Sequence, residues 1–183
     1  MDLNELKNAY AEIITSTMYI RLPEIRKLVP KYPTIGIKSS YSNLKKDTII
    51  NIKAVIESIA NEGNKSSQNL RNIMTQIARI FIIATWDIIV NLKTYPNLKD
   101  KKLIQFTRHI RNGVAHDNKF KFDSRVLNKA CNTLKLPAKW KDKKIELKHE
   151  NTIVVPDFIK DGDVYSLICD LQKFVDENKN EKK

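Results

Sequence analysis

QNLRNIMTQIARIFIIATWDIIVNLKTY, residues 68–95, decides the fold. Leu70, Ile73, Ile77, Phe81, Ala84, Ile88 and Leu92 step by three or four along its whole length, the spacing of one face of an α-helix. Asn61-Glu62-Gly63-Asn64-Lys65-Ser66-Ser67 breaks the chain before it, with Ser66 or Ser67 as the expected N-cap. Pro96-Asn97-Leu98-Lys99-Asp100 turns the chain after it. Asp100 is placed to cap a second helix, Lys101 to about His116, with an apolar side of Leu103, Ile104, Phe106 and Ile110. Two long antiparallel helices joined by so short a connection form a core hairpin. The expected class is mainly α, an antiparallel helical bundle.

Working outward, Leu3 to about Leu28 reads as helical, with a break near Arg21-Leu22 ahead of Pro23. Pro30, Pro33 and Gly36 predict a loop over Val29 to Tyr41. Its Tyr32, Lys38, Ser39, Ser40 and Tyr41 suit a base-stacking platform or, more simply, a surface loop. Asp47 is the expected cap of a helix to about Ala60, with Ile49, Ile50, Ile52, Val55, Ile56 and Ile59 on one broad face. Beyond the central pair, a short helix is expected from Arg125 to Leu134, ended by Pro137. A small β-hairpin follows, pairing Trp140–Lys148 with Thr152–Val155 across a turn at His149-Glu150-Asn151. The last helix spans Asp161 to Val175, with Val164, Leu167, Ile168, Leu171 and Val175 inward. Residues 1–178 read as one domain and 179–183 as a charged, disordered tail.

The totals agree with a globular helical protein. The chain has 183 residues, 42% hydrophobic and 30% charged, and its Gly 4 and Pro 6 suit long helices better than a turn-rich β fold. Lys plus Arg 33 against Asp plus Glu 21 gives +12, which favours polyanionic partners, nucleic acid ahead of a membrane surface. Cys131 and Cys169 lack metal-like spacing and read as small buried residues in a reducing compartment. The acidic start Met1-Asp2-Leu3-Asn4-Glu5 is unlike a signal peptide. The apolar run Ile80 to Val90, interrupted by Asp87, reads as too short to span a bilayer. The expected location is cytoplasmic. No Walker loop, Rossmann glycine pattern, C-x-x-C pair or H-E-x-x-H helix is present.

The chemistry concentrates in Arg108-His109-Ile110-Arg111-Asn112-Gly113-Val114-Ala115-His116-Asp117-Asn118-Lys119-Phe120, which holds two of the chain's three histidines. On a continuous helix, His109, Asn112 and His116 fall in one sector flanked by Arg108 and Arg111. With nothing apolar in it, that sector is expected to face away from the core. An imidazole that moves a proton beside a guanidinium that holds a phosphate is the minimum needed to cleave RNA. Histidines seven apart on a helix are separated by about 10 Å, too far to share one metal ion. Gly113 weakens the helix by roughly 1 kcal/mol relative to Ala; it marks the helix end or lets a second chain or a phosphate come close. On the preceding helix Arg79 and Asp87 are conspicuous among apolar neighbours.

Arg111-Asn112-x-x-x-His116 resembles the R-x(4–6)-H signature of the HEPN superfamily in its R-N-x-x-x-H form. The resemblance extends well over about residues 65–125 and loosely beyond. It implies a small helical bundle that dimerises through the motif helices, and a metal-independent, cofactor-free endoribonuclease of bacterial defence or toxin–antitoxin systems. On that resemblance His116 is general base or acid, Arg111 stabilises the charged phosphate, and Asn112 positions the helix end or the phosphate. Asp87 falls where the family often carries an acidic or polar residue, and would hold Arg111 or orient His116; a solvated outer carboxylate is the alternative. Arg108 and His109 are second-tier candidates, and Lys119 and Lys121 would guide the RNA backbone. The implied partners are RNA, a second copy of the chain, and an antitoxin or defence-system component. Two other functions remain open: a catalytically inactive RNA-binding or dimerisation module, and a DNA-binding accessory protein.

Overall fold

Leu3, Leu6 and Tyr10, spaced by three and four, are the buried face of the first helix, α1 (Leu3–Tyr19). Asp2 and Glu5 cap its start reciprocally: Asp2 Oδ1 accepts from the amides of Asn4 and Glu5, and Glu5 Oε2 accepts from the Asp2 amide. The computed structural model describes residues 1–19, 22, 24, 27, 34–37, 48–51, 64–122 and 135–179, with 34–37, 48–51, 64–67 and 179 given by backbone alone. The expected helix Arg125–Leu134, the stacking residues Tyr32, Lys38, Ser39, Ser40 and Tyr41, the cap Asp47, and Cys131 lie outside them.

The chain forms two compact units, Met1–Ala11 with Met74–Lys183, and Glu12–Ile73. Composition marks no linker because both boundaries fall inside helices. The second unit contains an antiparallel pair, β1 (Thr34–Ile37) and β2 (Thr48–Asn51), in the register Thr34↔Asn51 to Ile37↔Thr48. This corrects two expectations, a loop at 34–37 and a helix starting after Asp47. Thr48-Ile49-Ile50 is β-branched throughout, and such residues lose side-chain freedom in a helix and favour a pleated strand.

The first unit is built on α2 (Asn64–Val90) and α4 (Lys102–Ala115), linked through the single turn α3 (Tyr95–Leu98). The linker reverses the chain. Arg79, eleven residues before the end of α2, donates from Nη2 to the carbonyl of Val114 near the end of α4 at 3.2 Å, so the two helices run antiparallel. The α2 helix begins before Ser66 and Ser67, which therefore lie within it. The start of α4 has Lys101 as its N-cap with no side-chain cap. Asp100 instead pairs with Lys135 at 2.8 Å. Within α2, Gln68–Val90, of which the run Ile80–Val90 is a part, is long and apolar enough to cross a membrane by length and composition alone. Met74, Ala78, Phe81, Ile82, Trp86 and Ile89 on it are core side chains.

The expected hairpin of Trp140–Lys148 with Thr152–Val155 is corrected: the segment folds back earlier, on other strands. β3 (Ala138–Trp140) pairs antiparallel with β4 (Lys143–Ile145) around Lys141-Asp142, where Lys141 takes φ 52. Leu147–His149 is a tight turn, and Thr152–Val155 runs beside 118–120 through the bridge Lys119↔Ile153. Without the Gly or Asn usual at a left-handed turn position, Lys141-Asp142 gave no sign that the chain reverses there. The last helix, α5 (Asp161–Lys179), buries Val164, Leu167, Ile168, Leu171 and Val175 as expected and extends past Val175. Tyr10 ties its start to α1 and α2, donating to the Asp161 carbonyl at 2.9 Å and packing edge-on against Phe81. Among the described residues the chain is mainly helical, with two small antiparallel strand pairs.

Candidate active site

The end of α4 is fixed by its own sequence. His116 leaves helical geometry at φ −110 and ψ 78, its amide still bonded to the carbonyls of Asn112 and Gly113. Asp117 and Asn118 then take positive φ, 57 and 59, a conformation Asn and Asp tolerate better than most side chains. The Asn118 side chain holds the reversed chain in place, accepting from the Val155 amide at 3.1 Å and donating to the Val155 carbonyl. Gly113 is what lets this segment dock. A Cβ on it would lie 2.5 Å from Val154 Cγ2 and 3.3 Å from the Lys119 carbonyl oxygen. The close approach anticipated at Gly113 is therefore made by Val154 of the same chain.

Arg111 and Asn112 lie close to the end of α4, and His116 is its C-cap. Arg111 and Asn112 are half-buried and His116 is exposed. Arg111 Nη1 donates to Asn112 Oδ1 at 3.4 Å, while its Nε–H is buried with no acceptor. Arg79, which the sequence made conspicuous but assigned no role, reaches in from α2. Its Nη1 donates to Gln76 Oε1 at 3.1 Å and its Nη2 to the Val114 carbonyl. A cation at the C-terminal end of a helix offsets the partial negative charge of the last carbonyls. Among the described residues neither guanidinium pairs with a carboxylate.

His109 is not part of this end of the helix. It is 3% exposed and its ring meets Phe122 edge-on at 5.7 Å. Its Nε2–H donates to the Lys135 carbonyl at 3.1 Å, and Gln105 one turn earlier accepts the Lys135 amide at 2.8 Å. Burial, with Arg108 nearby, depresses its pKa, and the bond to Lys135 offsets that in part, so it sits as a neutral core imidazole. The expected common sector fails for two reasons. The helix stops at Ala115, so His116 does not continue the 100° step. And α4 is packed around much of its circumference, so a polar face does not have to be an outer one.

Asp87 is exposed, and among the described residues it makes no bond to Arg111 or His116. Its carbonyl accepts from Asn91 Nδ2. The Asp87 role is corrected to that of an outer carboxylate, and Arg79 is the charged α2 residue that touches the motif helix. Arg108 is half-buried beside the buried imidazole it disfavours protonating. Lys119 is exposed, whereas Lys121 pairs with Asp117 at 3.1 Å and lowers that carboxyl's pKa.

The end of α4 thus presents one exposed imidazole with the exposed Asp117 carboxylate beside it, one exposed lysine, and a half-buried guanidinium with unused donors. It can hold a phosphate oxygen and move one proton. Among the described residues no three His, Cys, Asp or Glu side chains cluster as metal ligands would. A scan against protein-family models gives no match, and neither does comparison with curated proteins or with solved structures.

Proposed function

We propose that the chain is a metal-independent endoribonuclease of the small helical kind. More particularly, we read it as a HEPN-type bundle acting as a homodimer in a bacterial defence or toxin–antitoxin setting, in the cytoplasm. One observation supports the reading: Arg111, bonded to Asn112 and paired with no carboxylate among the described residues, lies one turn before the helix end at which the His116 side chain is exposed. In one protomer the His116 imidazole takes the proton of a ribose 2′-hydroxyl as that oxygen attacks phosphorus. Arg111 stabilises the charge gathered on the phosphorane, and the bond from phosphorus to the 5′ oxygen breaks. One protomer offers one exposed motif imidazole, since His109 is buried. The proton for the departing oxygen therefore comes from the His116 of a second protomer across a shared cleft. The products are a 2′,3′-cyclic phosphate and a 5′-hydroxyl.

The test is cleavage of mixed RNA in EDTA by wild type, Arg111→Ala and His116→Ala, with end-group analysis. Loss of a general acid–base group lowers the rate by about 10²–10⁴-fold, and loss of an oxyanion-stabilising donor by about 10²–10³-fold. Cyclic ends from wild type alone are the expected result. Equal inertness of all three favours an inactive RNA-binding or dimerisation module. Salt-sensitive duplex DNA binding without scission would favour a DNA-associated accessory role.

A further inference from the structure

At the opposite end of α4 from His116 lies an open groove of about 660 Å³, within the range of small-ligand sites. The first turn of α4, the β3–β4 hairpin and α5 line it. Its lining includes the half-buried side chains of Leu103 and Phe174 together with Lys101, Lys102, Lys139 and Lys141. Two carboxylates also border it, and both are engaged by the fold. Asp100 pairs with Lys135 at 2.8 Å. Asp170 accepts from Trp140 Nε1 at 2.8 Å and pairs at 3.1 Å with Lys141, whose ammonium also lies over the Trp140 ring. Lys101, Lys102 and Lys139 are exposed and, among the described residues, have no carboxylate partner. Elsewhere in the same unit Lys121, Lys143, Lys144, Lys148 and Lys173 each lie beside a carboxylate. Lys93, Lys119 and Lys160 are exposed without one among the described residues, so what sets Lys101, Lys102 and Lys139 apart is that they line one groove.

We propose that this lysine-lined groove binds a nucleotide unit of single-stranded RNA, so that a strand cut at the His116 end of α4 is also held at its far end. Three ammonium groups without a carboxylate partner among the described residues fit phosphates, and the half-buried Leu103 and Phe174 side chains beside them offer an apolar face to an unstacked base. A duplex keeps its bases stacked and has no free base face to give them. Fourteen residues of helix separate the two places by about 20 Å, a span of a few nucleotides. The link to cleavage rests on the ribonuclease reading, whereas the binding itself does not.

The experiment uses the full chain carrying His116→Ala, so that RNA stays intact, and a fluorescent single-stranded 15-nucleotide RNA as probe. Lys101→Glu, Lys102→Glu and Lys139→Glu are added together. A control adds Lys7→Glu, Lys93→Glu and Lys160→Glu, which gives the same net charge. The groove variant is expected to bind at least tenfold more weakly than the control. Its log-affinity against log-salt slope should be shallower by about 2, three phosphate contacts on a single strand. Lysine-to-glutamine changes at the same three groove positions should weaken binding less, but in the same direction. Equal affinity and slope for groove and control variants overturns the proposal. So does binding of the parent to phosphatidylserine vesicles, lost in the groove variant, without RNA binding. Groove-dependent binding with no cleavage by wild type would sink the ribonuclease reading and leave this one standing; cleavage with no groove effect would do the reverse.

Discussion

His109 and His116 are seven residues apart and chemically unlike. Burial keeps His109 neutral, with its Nε2–H committed to Lys135, so its folded pKa lies below the ordinary histidine value of 6.5. The unfolded chain therefore binds more protons than the folded one just below that pH, and stability must fall as pH drops through 6.5. The full contribution is present above 6.5 and is lost progressively down to the depressed folded value. One such site changes stability by at most about 1.4 kcal/mol per pH unit. Thermal melts of wild type and His109→Gln between pH 5 and 7.5 check this. The variant should have a lower melting temperature at pH 7.5 but a flatter pH dependence. Parallel curves would mean that His109 is not the group titrating. Asp161 acts in the other sense and at lower pH, because burial raises its carboxyl.

At the scale of elements, the seam between the end of α4 and residues 151–155 is the tightest feature near the candidate site. Val154 is fully buried and its amide is bonded to the Asn118 carbonyl at 2.9 Å, so it has little room to retreat from a methyl group on Gly113. Gly113→Ala gains about 0.5–1 kcal/mol in helix propensity but overpacks a filled interior, which costs about 1–3 kcal/mol. We expect a net loss of stability, read by urea unfolding. Val154→Ala should also destabilise, yet the double variant should be less unstable than the sum of the two. Strict additivity would show that the two side chains do not meet. The same seam shows what was legible in the sequence. The apolar faces of α4 and α5 were readable because a helix repeats its burial every three or four residues, and all five inward positions expected in α5 are buried. In α2 the helix was legible but its face was not. Ile73, Ile77, Ala84, Ile88 and, past its end, Leu92 are only half-buried, and Met74, Ala78, Ile82, Trp86 and Ile89 join Leu70 and Phe81 in the core. A helix apolar nearly all round does not mark which side packs. The partner of Gly113 was not, since Val154 lies 41 positions away in a segment whose alternation fitted a hairpin equally well. Arg79 was visible as a charge among apolar neighbours, but periodicity cannot say which of two such charges, Arg79 or Asp87, will face the motif.

For the whole molecule, the question is whether one chain suffices. Each protomer exposes one motif imidazole, and transesterification with a poor alkoxide leaving group calls for both a base and an acid. The proposed shared cleft makes a prediction that a single-chain site does not. Only a dimer with His116 in both chains holds a base and an acid. Wild-type and His116→Ala chains, unfolded together and refolded as a mixture, should therefore lose activity as the square of the wild-type fraction, leaving about a quarter of the rate in an equimolar mixture. The rate per wild-type chain should also rise with total concentration, because dilution returns the chains to monomers. If the rate instead falls only in proportion to the wild-type fraction, then His116 must act within one chain. The second proton donor would then have to come from elsewhere at that same helix end, where Lys119 is the exposed candidate.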